Sequence, residues 1–273
     1  MVRRVSGGAS SHGSFLKLVK DFWAIAVALP HELGGILPLC EVEAQLEYRG
    51  MKMIEARLGG QEIFIAVTGI GPERAARAAR YLIDNYPVTR LLSTGYCGGL
   101  QAGIENGAAI VADRVVLAET PEKMLPVDVP LLRRAEQSLA SAGIPYHLGT
   151  LVTVAKPVLK NSEKERLVAQ IPAAAVDMES GALLEGLGNS EKKIASVTVR
   201  FIVDALGDEL SDTETFLDEN AAVKPLSLVR EMIRRPKLMA ELPGLGRKAG
   251  RARSQLTQFV SCFFNIHSKE PEK

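Results

Sequence analysis

Cysteine, histidine and long apolar runs are all scarce in this chain of 273 residues. Its three cysteines, Cys40, Cys97 and Cys262, are an odd and sparse set without metal-ligand spacing, which argues for a reducing compartment. The four histidines are scattered, and no pair has a helix or turn spacing that indicates a metal site. We therefore expect a cytoplasmic protein that holds neither a metal nor another cofactor.

Excess charge is also absent, since the formal net charge is +1, and this gives no electrostatic case for binding nucleic acid. The longest apolar runs are far too short to span a bilayer. Lys17, Lys20 and Asp21 interrupt the only stretch near the N-terminus where the apolar core of a signal peptide could lie. Residues 1–20, which include a Gly/Ser-rich run from Ser6 to Ser14, are accordingly expected to form a flexible leader.

The pattern of apolar runs predicts an α/β fold for residues 21–210. Residues 22–29 form a continuous apolar run that stops at Pro30, as is typical of a strand buried on both faces. Residues 43–49 and 51–58 alternate around Gly50 and predict a hairpin. Later strands alternate with helical stretches, so we expect one domain with a central mixed, twisted sheet flanked by helices.

Acidic residues follow three of the predicted strands. Asp177 and Glu179 come directly after the small apolar run 173–176, Glu32 follows the first strand, and Asp204 follows the strand at 195–203. Binding sites of α/β proteins lie beyond the carboxyl ends of strands, so these acids are candidate site residues. The alternative is that each acid only caps the helix that follows it.

Three short motifs carry a resemblance to a known family: Val176-Asp177-Met178-Glu179, Val199-Arg200-Phe201-Ile202-Val203-Asp204 and Thr68-Gly69-Ile70-Gly71. Together they resemble the nucleoside phosphorylase and methylthioadenosine/adenosylhomocysteine nucleosidase superfamily, in its order and spacing, over residues 22–206. The resemblance implies a nucleoside phosphorylase-like fold, a homo-oligomer, and an enzyme that cleaves the N-glycosidic bond of a purine nucleoside of the adenosine type.

The resemblance also implies a role for each matching residue. Asp204 matches the acid that donates a proton to N7 of adenine, and Glu179 matches the carboxylate that accepts hydrogen bonds from the ribose hydroxyls. Met178 matches a residue that packs on the ribose, while Arg200 and Glu32 match groups near the nucleophile. A carboxylic acid stays neutral at pH 7 only where burial or a like charge raises its pKa, and an apolar strand precedes Asp204. Considered alone, Arg200 is equally explained by an ion pair with a nearby acid.

The chain departs from the family pattern at several positions. Gly95 begins a glycine-rich turn after the strand 90–94, but Tyr96 stands where nucleosidases carry a small serine. Val203 replaces the serine that precedes the catalytic aspartate. The base pocket has Pro157 and Val158 and lacks the aromatic residue of the family. These differences put the usual substrates in doubt.

The residues do not decide whether water or phosphate is the nucleophile. The loop 30–38 contains no Arg or Lys, and a carboxylate at Glu32 would repel phosphate but accept a proton from water, which favours hydrolysis. Arg200 still allows a phosphate-dependent phosphorylase. A third hypothesis is that the chain binds a nucleoside but does not cleave it, which Tyr96 in the glycine-rich turn would allow.

A finer resemblance is to the hopanoid-associated branch, which releases adenine from adenosylhopane and leaves ribosylhopane. It rests on Lys156-Pro157-Val158, on the segment 175–180 and on the tail segment 232–238. Residues 211–273 form a basic extension with helical periodicity, extending through a second predicted helix at 238–259. We expect it to pack on the domain or on a partner subunit, or else to contact anionic lipid at the membrane surface. A lipid-linked nucleoside would explain the latter.

Overall fold

A computed structural model describes residues 21–125, 127–158, 160–206 and 245–266. The described strands are β1 (Trp23–Val27), β2 (Glu41–Tyr48), β3 (Met51–Leu58), β4 (Gln61–Val67), β5 (Arg90–Gly99), β6 (Ala109–Leu117), β7 (Thr120–Leu125), β8 (Tyr146–Thr153), β9 (Ala175–Asp177) and β10 (Ala195–Asp204). The described helices are α1 (Pro30–Ile36), α2 (Pro72–Asn85), α3 (Val129–Ser141), α4 (Asn161–Gln170), α5 (Ser180–Gly188) and α6 (Leu245–Phe263), with a 3-10 turn at Leu37–Leu39. The predicted α/β fold with a mixed sheet is confirmed.

The ten strands form one sheet in the order β10-β6-β8-β9-β5-β1-β4-β3-β2, with β7 paired to β6. Strand β5 also pairs in parallel with β10, so β10, β6, β8, β9 and β5 close into a ring. The hairpin β2–β3 and strand β4 extend the sheet beyond this ring. The ring brings the carboxyl ends of β5, β9 and β10 to the same place, next to the end of β1.

Helices cover both faces of the sheet because its strands are apolar on both sides. Helices α1, α3 and α6 bury one face together with side chains of β1 and β4, and helices α2 and α5 cover the other. Helix α2 begins with Pro72, which suits the first helical position, and presents Ala75, Ala78, Ala79 and Leu82 to the core. Helix α4 packs on a third, smaller cluster beside β8 and β9.

Helix α6 is held to the start of β1 by aromatic side chains. The Trp23 ring lies 5.4 Å from that of Phe263 and 5.2 Å from that of Phe264, in edge-to-face geometry. Arg134 of α3 donates to the carbonyl of Phe263 at the end of the helix and lies over both the Trp23 and Phe263 rings. The apolar side of α6 is therefore buried on the domain, and its basic side faces outward.

Two elements differ from the sequence-based expectation. The glycine-rich stretch after Thr94 does not turn but continues β5 to Gly99, because β10 pairs with it up to Gly98 and β9 pairs with its last two residues. Strand β7, which pairs antiparallel with β6, was not predicted; only Leu125 in it is buried, so it lacks the apolar pattern of a core strand.

The predicted leader (residues 1–20) and the tail segment 211–244, including the motif at 232–238, lie outside the described residues. The division into a leader, a domain at 21–210 and an extension stays a prediction. Of the helices that the structure describes, none combines the length and hydropathy needed to cross a bilayer.

The aromatic contact between α6 and β1 leads to a stability prediction. Phe263→Ala removes a fully buried ring, and we expect it to lower the free energy of unfolding by about 3–5 kcal/mol, since the cavity between Trp23 and Phe259 cannot collapse completely. Denaturant titration followed by tryptophan fluorescence measures the change, because Trp23 is the single tryptophan. The control Gln258→Ala, on the exposed side of the same helix, should change stability by less than about 0.5 kcal/mol. Equal effects of the two substitutions would contradict this packing role.

Candidate active site

A cleft of about 210 Å³ opens where the carboxyl ends of β1, β4, β5, β8, β9 and β10 meet. Its walls are mostly apolar, and four carboxylates lie among them. The apolar lining residues are Ala28, Leu29, Ile70, Val154, Pro157, Val158, Val176, Met178 and Val203, and the acids are Glu32, Asp177, Glu179 and Asp204. Tyr96, Cys97 and Gly98 complete the lining. The predicted convergence of acids from separate strand ends is thus present in the structure.

Glu32 lies in the first turn of α1 and is held by three backbone N–H groups. Its Oε2 accepts from Ala28 at 2.7 Å and Leu29 at 2.8 Å, and its Oε1 accepts from Tyr96 at 2.8 Å. Gly95 allows this approach: its φ is +141°, and a Cβ there would lie 2.5 Å from Glu32 Oε1. Burial raises the pKa of Glu32, against the lowering effects of Arg200 and the three donors.

Arg200 lies behind the cleft, where its guanidinium joins several elements. It forms an ion pair with Asp177 at 3.0 Å, with both side chains at most 2% exposed. It also donates to the Ser180 hydroxyl at 2.9 and 3.1 Å, to the Thr94 carbonyl at 3.2 Å and to the Ser93 hydroxyl at 3.3 Å. Its N–H groups are thus directed at protein acceptors, as the ion-pair alternative for this residue predicted.

Asp177 is the partner that links Arg200 to the start of α5. Its Oδ1 accepts from the Thr153 hydroxyl at 2.6 Å, and its Oδ2 accepts from the backbone N–H of Ser180 at 3.0 Å. The second contact satisfies the N–H of the first residue of α5, although the N-cap position of this helix is Glu179, so Asp177 both orders the start of α5 and compensates the charge of Arg200. Both oxygens are occupied by protein donors.

Glu179 is buried at the rim between α5 and α2. Its Oε1 accepts from the backbone N–H of Gly71 at 2.9 Å. Burial first, and then repulsion from Asp177, raise the pKa of Glu179 to about 8, while Arg200 lowers it. Below about pH 8 the protonated form of this carboxyl is therefore favoured.

Asp204 ends β10 and faces a cation that sequence reasoning missed. The ammonium of Lys164, from α4, lies 2.8 Å from Asp204 Oδ2. Lys164 is fully buried, whereas the Asp204 side chain is 13% exposed toward the cleft. The apolar strand before Asp204 gives no indication of this buried positive charge, which only the packing of α4 brings beside the carboxyl group.

Tyr96 stands in the cleft and is fixed by a neighbour on α1. Its hydroxyl is hydrogen-bonded to His31 Nδ1 at 2.8 Å, and the two rings are 5.8 Å apart. Burial, followed by the charge of Glu32, raises the pKa of the Tyr96 phenol above its ordinary range. Burial, followed by the charge of Arg253 on α6, lowers the pKa of His31. This pair of rings is therefore neutral at pH 7 and narrows the space beside Glu32.

The structure brings most of the predicted site residues together in one cleft. Asp204, Glu32, Glu179, Met178, Tyr96, Pro157 and Val158 line it, whereas Arg200 and Gly95 lie behind it. Lys164 and His31 were not predicted. No signal in the sequence indicates Lys164, since it occurs in a polar helix among other charged residues. For His31, the only signal in the sequence is its position next to Glu32.

Carboxylates inside an apolar cleft can stabilise positive charge that develops on a bound molecule. The same carboxylates repel an anion, and no lysine or arginine is among the described residues that line the cleft. The arrangement thus suits a neutral ligand with hydroxyl groups that becomes cationic during reaction. The acids that line the cleft could take a proton from a bound molecule or give one to it.

Comparison with known proteins agrees with this geometry. Residues 23–234 match the family model of the phosphorylase superfamily. The chain is 27% identical over 208 residues to 5'-methylthioadenosine/S-adenosylhomocysteine nucleosidase of Colwellia psychrerythraea, covering 68% of this chain and 85% of that protein. It is 26% identical over 167 residues to a DeoD-type purine nucleoside phosphorylase of Bacillus subtilis, and this alignment covers 57% of this chain and 70% of that protein. The structure of futalosine hydrolase from Helicobacter pylori superposes with a TM-score of 0.70 at 16% sequence identity. The superposition covers 91% of this chain and 99% of that chain.

The raised pKa of Glu179 predicts a stability that depends on pH. A carboxyl whose pKa rises from about 4.5 to about 8 on folding stabilises the protein below the ordinary pKa, and this contribution is lost as the pH rises through 8. Glu179→Gln carries no such charge. We expect the free energy of unfolding of the variant to exceed that of the parent by about 2 kcal/mol at pH 8.5, or roughly 4–8 °C in Tm. At pH 5 the difference should be smaller.

Calorimetry at the two pH values measures this difference. The exposed Glu165→Gln on α4 is the control, and its difference from the parent should be the same at both pH values. A gap for Glu179→Gln that does not grow between pH 5 and pH 8.5 would contradict the burial of a titrating carboxyl here.

Proposed function

The chain belongs to the phosphorylase superfamily, and we propose that it is a nucleosidase that hydrolyses the N-glycosidic bond of an adenosine-type purine nucleoside. The observation that carries this proposal is the charge of the cleft. Four carboxylates line it, while the guanidinium of Arg200 and the ammonium of Lys164 are directed at protein acceptors. Phosphate binding requires free cationic or N–H donors, so the cleft favours water as the nucleophile.

Glu32 is proposed to activate the water. Its three backbone contacts fix the carboxylate, and its burial makes it a stronger base than an exposed glutamate. As the bond between the sugar and the base breaks, the ribose acquires positive charge. The water oxygen then bonds to C1' of the ribose, and Glu32 takes the released proton.

Glu179 and Asp204 are proposed to act on the two halves of the nucleoside. In its ionised form, Glu179 accepts hydrogen bonds from the ribose hydroxyls and stabilises the cationic sugar. Asp204 protonates the departing purine at N7. Met178 packs on the ribose, and Pro157 and Val158 provide the apolar contact for the base.

Arg200 is proposed to support this chemistry from behind. Its charge compensates Asp177, which it contacts, and lowers the pKa of both Glu32 and Glu179. Without that charge, the two buried carboxyls would hold their protons more strongly. Arg200 thereby keeps Glu32 able to accept a proton from water.

We further propose that the nucleoside carries a large apolar group at its 5′ position, as adenosylhopane does, so that adenine and ribosylhopane are the products. The support is the largely apolar cleft lining, together with the resemblance of residues 156–158 and 175–180 to the hopanoid-associated branch. Arg247, Arg251 and Arg253 are exposed on α6, which packs beside α1 and its cleft residues. Their charge would favour contact with an anionic membrane that holds such a substrate.

The proposed hydrolysis predicts that the base is released without phosphate. Adenosine and 5′-alkylthio derivatives, incubated in phosphate-free buffer, should yield adenine and a free sugar, with the same rate when phosphate is added. Glu32→Gln should lower kcat by about 10²-fold or more, because the amide cannot take a proton from water. Chromatography of the base and sugar products measures both results.

The exposed Glu165→Gln is the matched control and should retain full activity. Strict phosphate dependence, with a sugar phosphate as product, would replace hydrolysis by phosphorolysis. An unchanged kcat in Glu32→Gln would remove this residue from the mechanism. Nucleoside binding without base release would indicate a binding protein.

The apolar substituent gives a second prediction. In a series of 5′-alkylthioadenosines of increasing chain length, kcat/KM should rise by about 10-fold or more over adenosine, equivalent to burying about two methylene groups. Adenine release from adenosylhopane in mixed micelles tests the natural form of the substrate. A kcat/KM that stays flat or falls along the series would contradict an apolar 5′ group.

A further inference from the structure

Lys164 is the one lysine in the described residues whose side chain is completely buried. It lies in α4, a helix whose other charged residues are exposed. Its Cε passes 3.9 Å from the position that a Cβ on Gly98 would occupy, so the side chain runs along the end of β5 toward the cleft. Burying an ammonium is costly, and a buried one needs acceptors for its protons.

Three acceptors surround the ammonium, and they belong to Asp204, the last residue of β10, and to Ala205, which follows it. Lys164 Nζ lies 2.8 Å from Asp204 Oδ2, 3.2 Å from the Asp204 carbonyl and 3.3 Å from the Ala205 carbonyl. These contacts match the three protons of an ammonium group. The ion pair is therefore built into the fold at the residue that borders the cleft.

This pairing changes what Asp204 can do by itself. An ammonium at 2.8 Å favours the ionised carboxylate, and an ionised carboxylate has no proton to donate. The proposed function nevertheless requires a proton at N7 of the leaving purine. Among the described residues, the ammonium of Lys164 contacts Asp204 directly and carries a transferable proton.

We propose that Lys164 supplies the proton that Asp204 delivers to the departing purine, an inference that rests on the proposed hydrolysis of a nucleoside. As the bond from C1' to N9 breaks, its electron pair goes to the purine, which becomes basic. Lys164 Nζ passes a proton to Asp204, which passes a proton to N7, so that the amine is left neutral and Asp204 ionised. Water adds to C1' and its proton goes to Glu32; after the products leave, solvent takes the proton from Glu32 and restores one to Lys164.

The other charged and titratable groups that the structure describes at this end of the cleft do not offer the same route. Asp177 is paired with Arg200, and the guanidinium of Arg200 does not release protons in proteins. Glu179 is bound by Gly71 at the ribose side. Cys97 lies among Lys164, Asp204, Asp177 and Arg200, and its burial raises the pKa of the thiol above its ordinary range. Lys164 acts through Asp204 and does not itself touch the substrate.

The experiment compares two leaving groups. A purine needs protonation to depart, whereas the nitrophenolate of 4-nitrophenyl riboside does not. Lys164→Met should lower kcat for the nucleoside by about 10²-fold or more with little change in KM, and change kcat for the nitrophenyl riboside by less than about 3-fold. Lys164→Arg keeps the charge but cannot release a proton, so it should not restore nucleoside turnover. Lys193→Met, at an exposed lysine, is the control.

Equal losses on both substrates would show a structural role for Lys164, and recovery of nucleoside turnover in Lys164→Arg would show that only its charge matters. Either result overturns the proposal. The unsubstituted enzyme gives a second test that does not depend on folding of a variant. Its solvent deuterium isotope effect on kcat should be larger for the nucleoside, whose leaving group takes a proton, than for the nitrophenyl riboside; equal isotope effects for both would also overturn it. No base release from any nucleoside by this enzyme would instead reject the proposed function.

Discussion

The buried ion pair between Arg200 and Asp177 is the interaction on which the rest of the site depends. Its two side chains are at most 2% exposed and lie 3.0 Å apart, and the guanidinium also reaches Ser180 and the carbonyl of Thr94. It thus joins β10 to β5, β9 and α5. It also supplies the positive charge that offsets Glu32 and Glu179. Removing either partner would leave an uncompensated charge in the interior, which is strongly destabilising.

The fold could be predicted from the sequence because its signals are local. Apolar runs such as residues 22–29 and the hairpin around Gly50 define strands without knowledge of their neighbours. The ends of these strands also predict the positions of Glu32, Glu179 and Asp204. The prediction of a turn was wrong at Gly95–Gly99, where pairing with distant β9 and β10 extends β5 in spite of the glycines. At these residues, pairing with strands that are distant in the chain outweighs the local preference of glycine for a turn.

The electrostatics of the site were less predictable, for the same reason. Lys164 occurs in a polar stretch and would ordinarily be exposed, and only the packing of α4 against the end of β10 buries its ammonium. Arg200 was recognised as a site residue, but its position behind the cleft depends on Asp177 and on space beside Gly95. Which charges meet, and which of them face the cleft, are properties of the three-dimensional arrangement.

The contact between Trp23 and Phe263 has a consequence for the order in which the protein can fold. The two rings are 240 residues apart in the chain, yet they share one core with Phe259 and Phe264. During synthesis, β1 leaves the ribosome long before its covering helix exists. Its apolar face must stay exposed or shielded by other factors until α6 emerges. Such long-range closure slows folding, and the apolar face of β1 is open to aggregation until α6 packs on it.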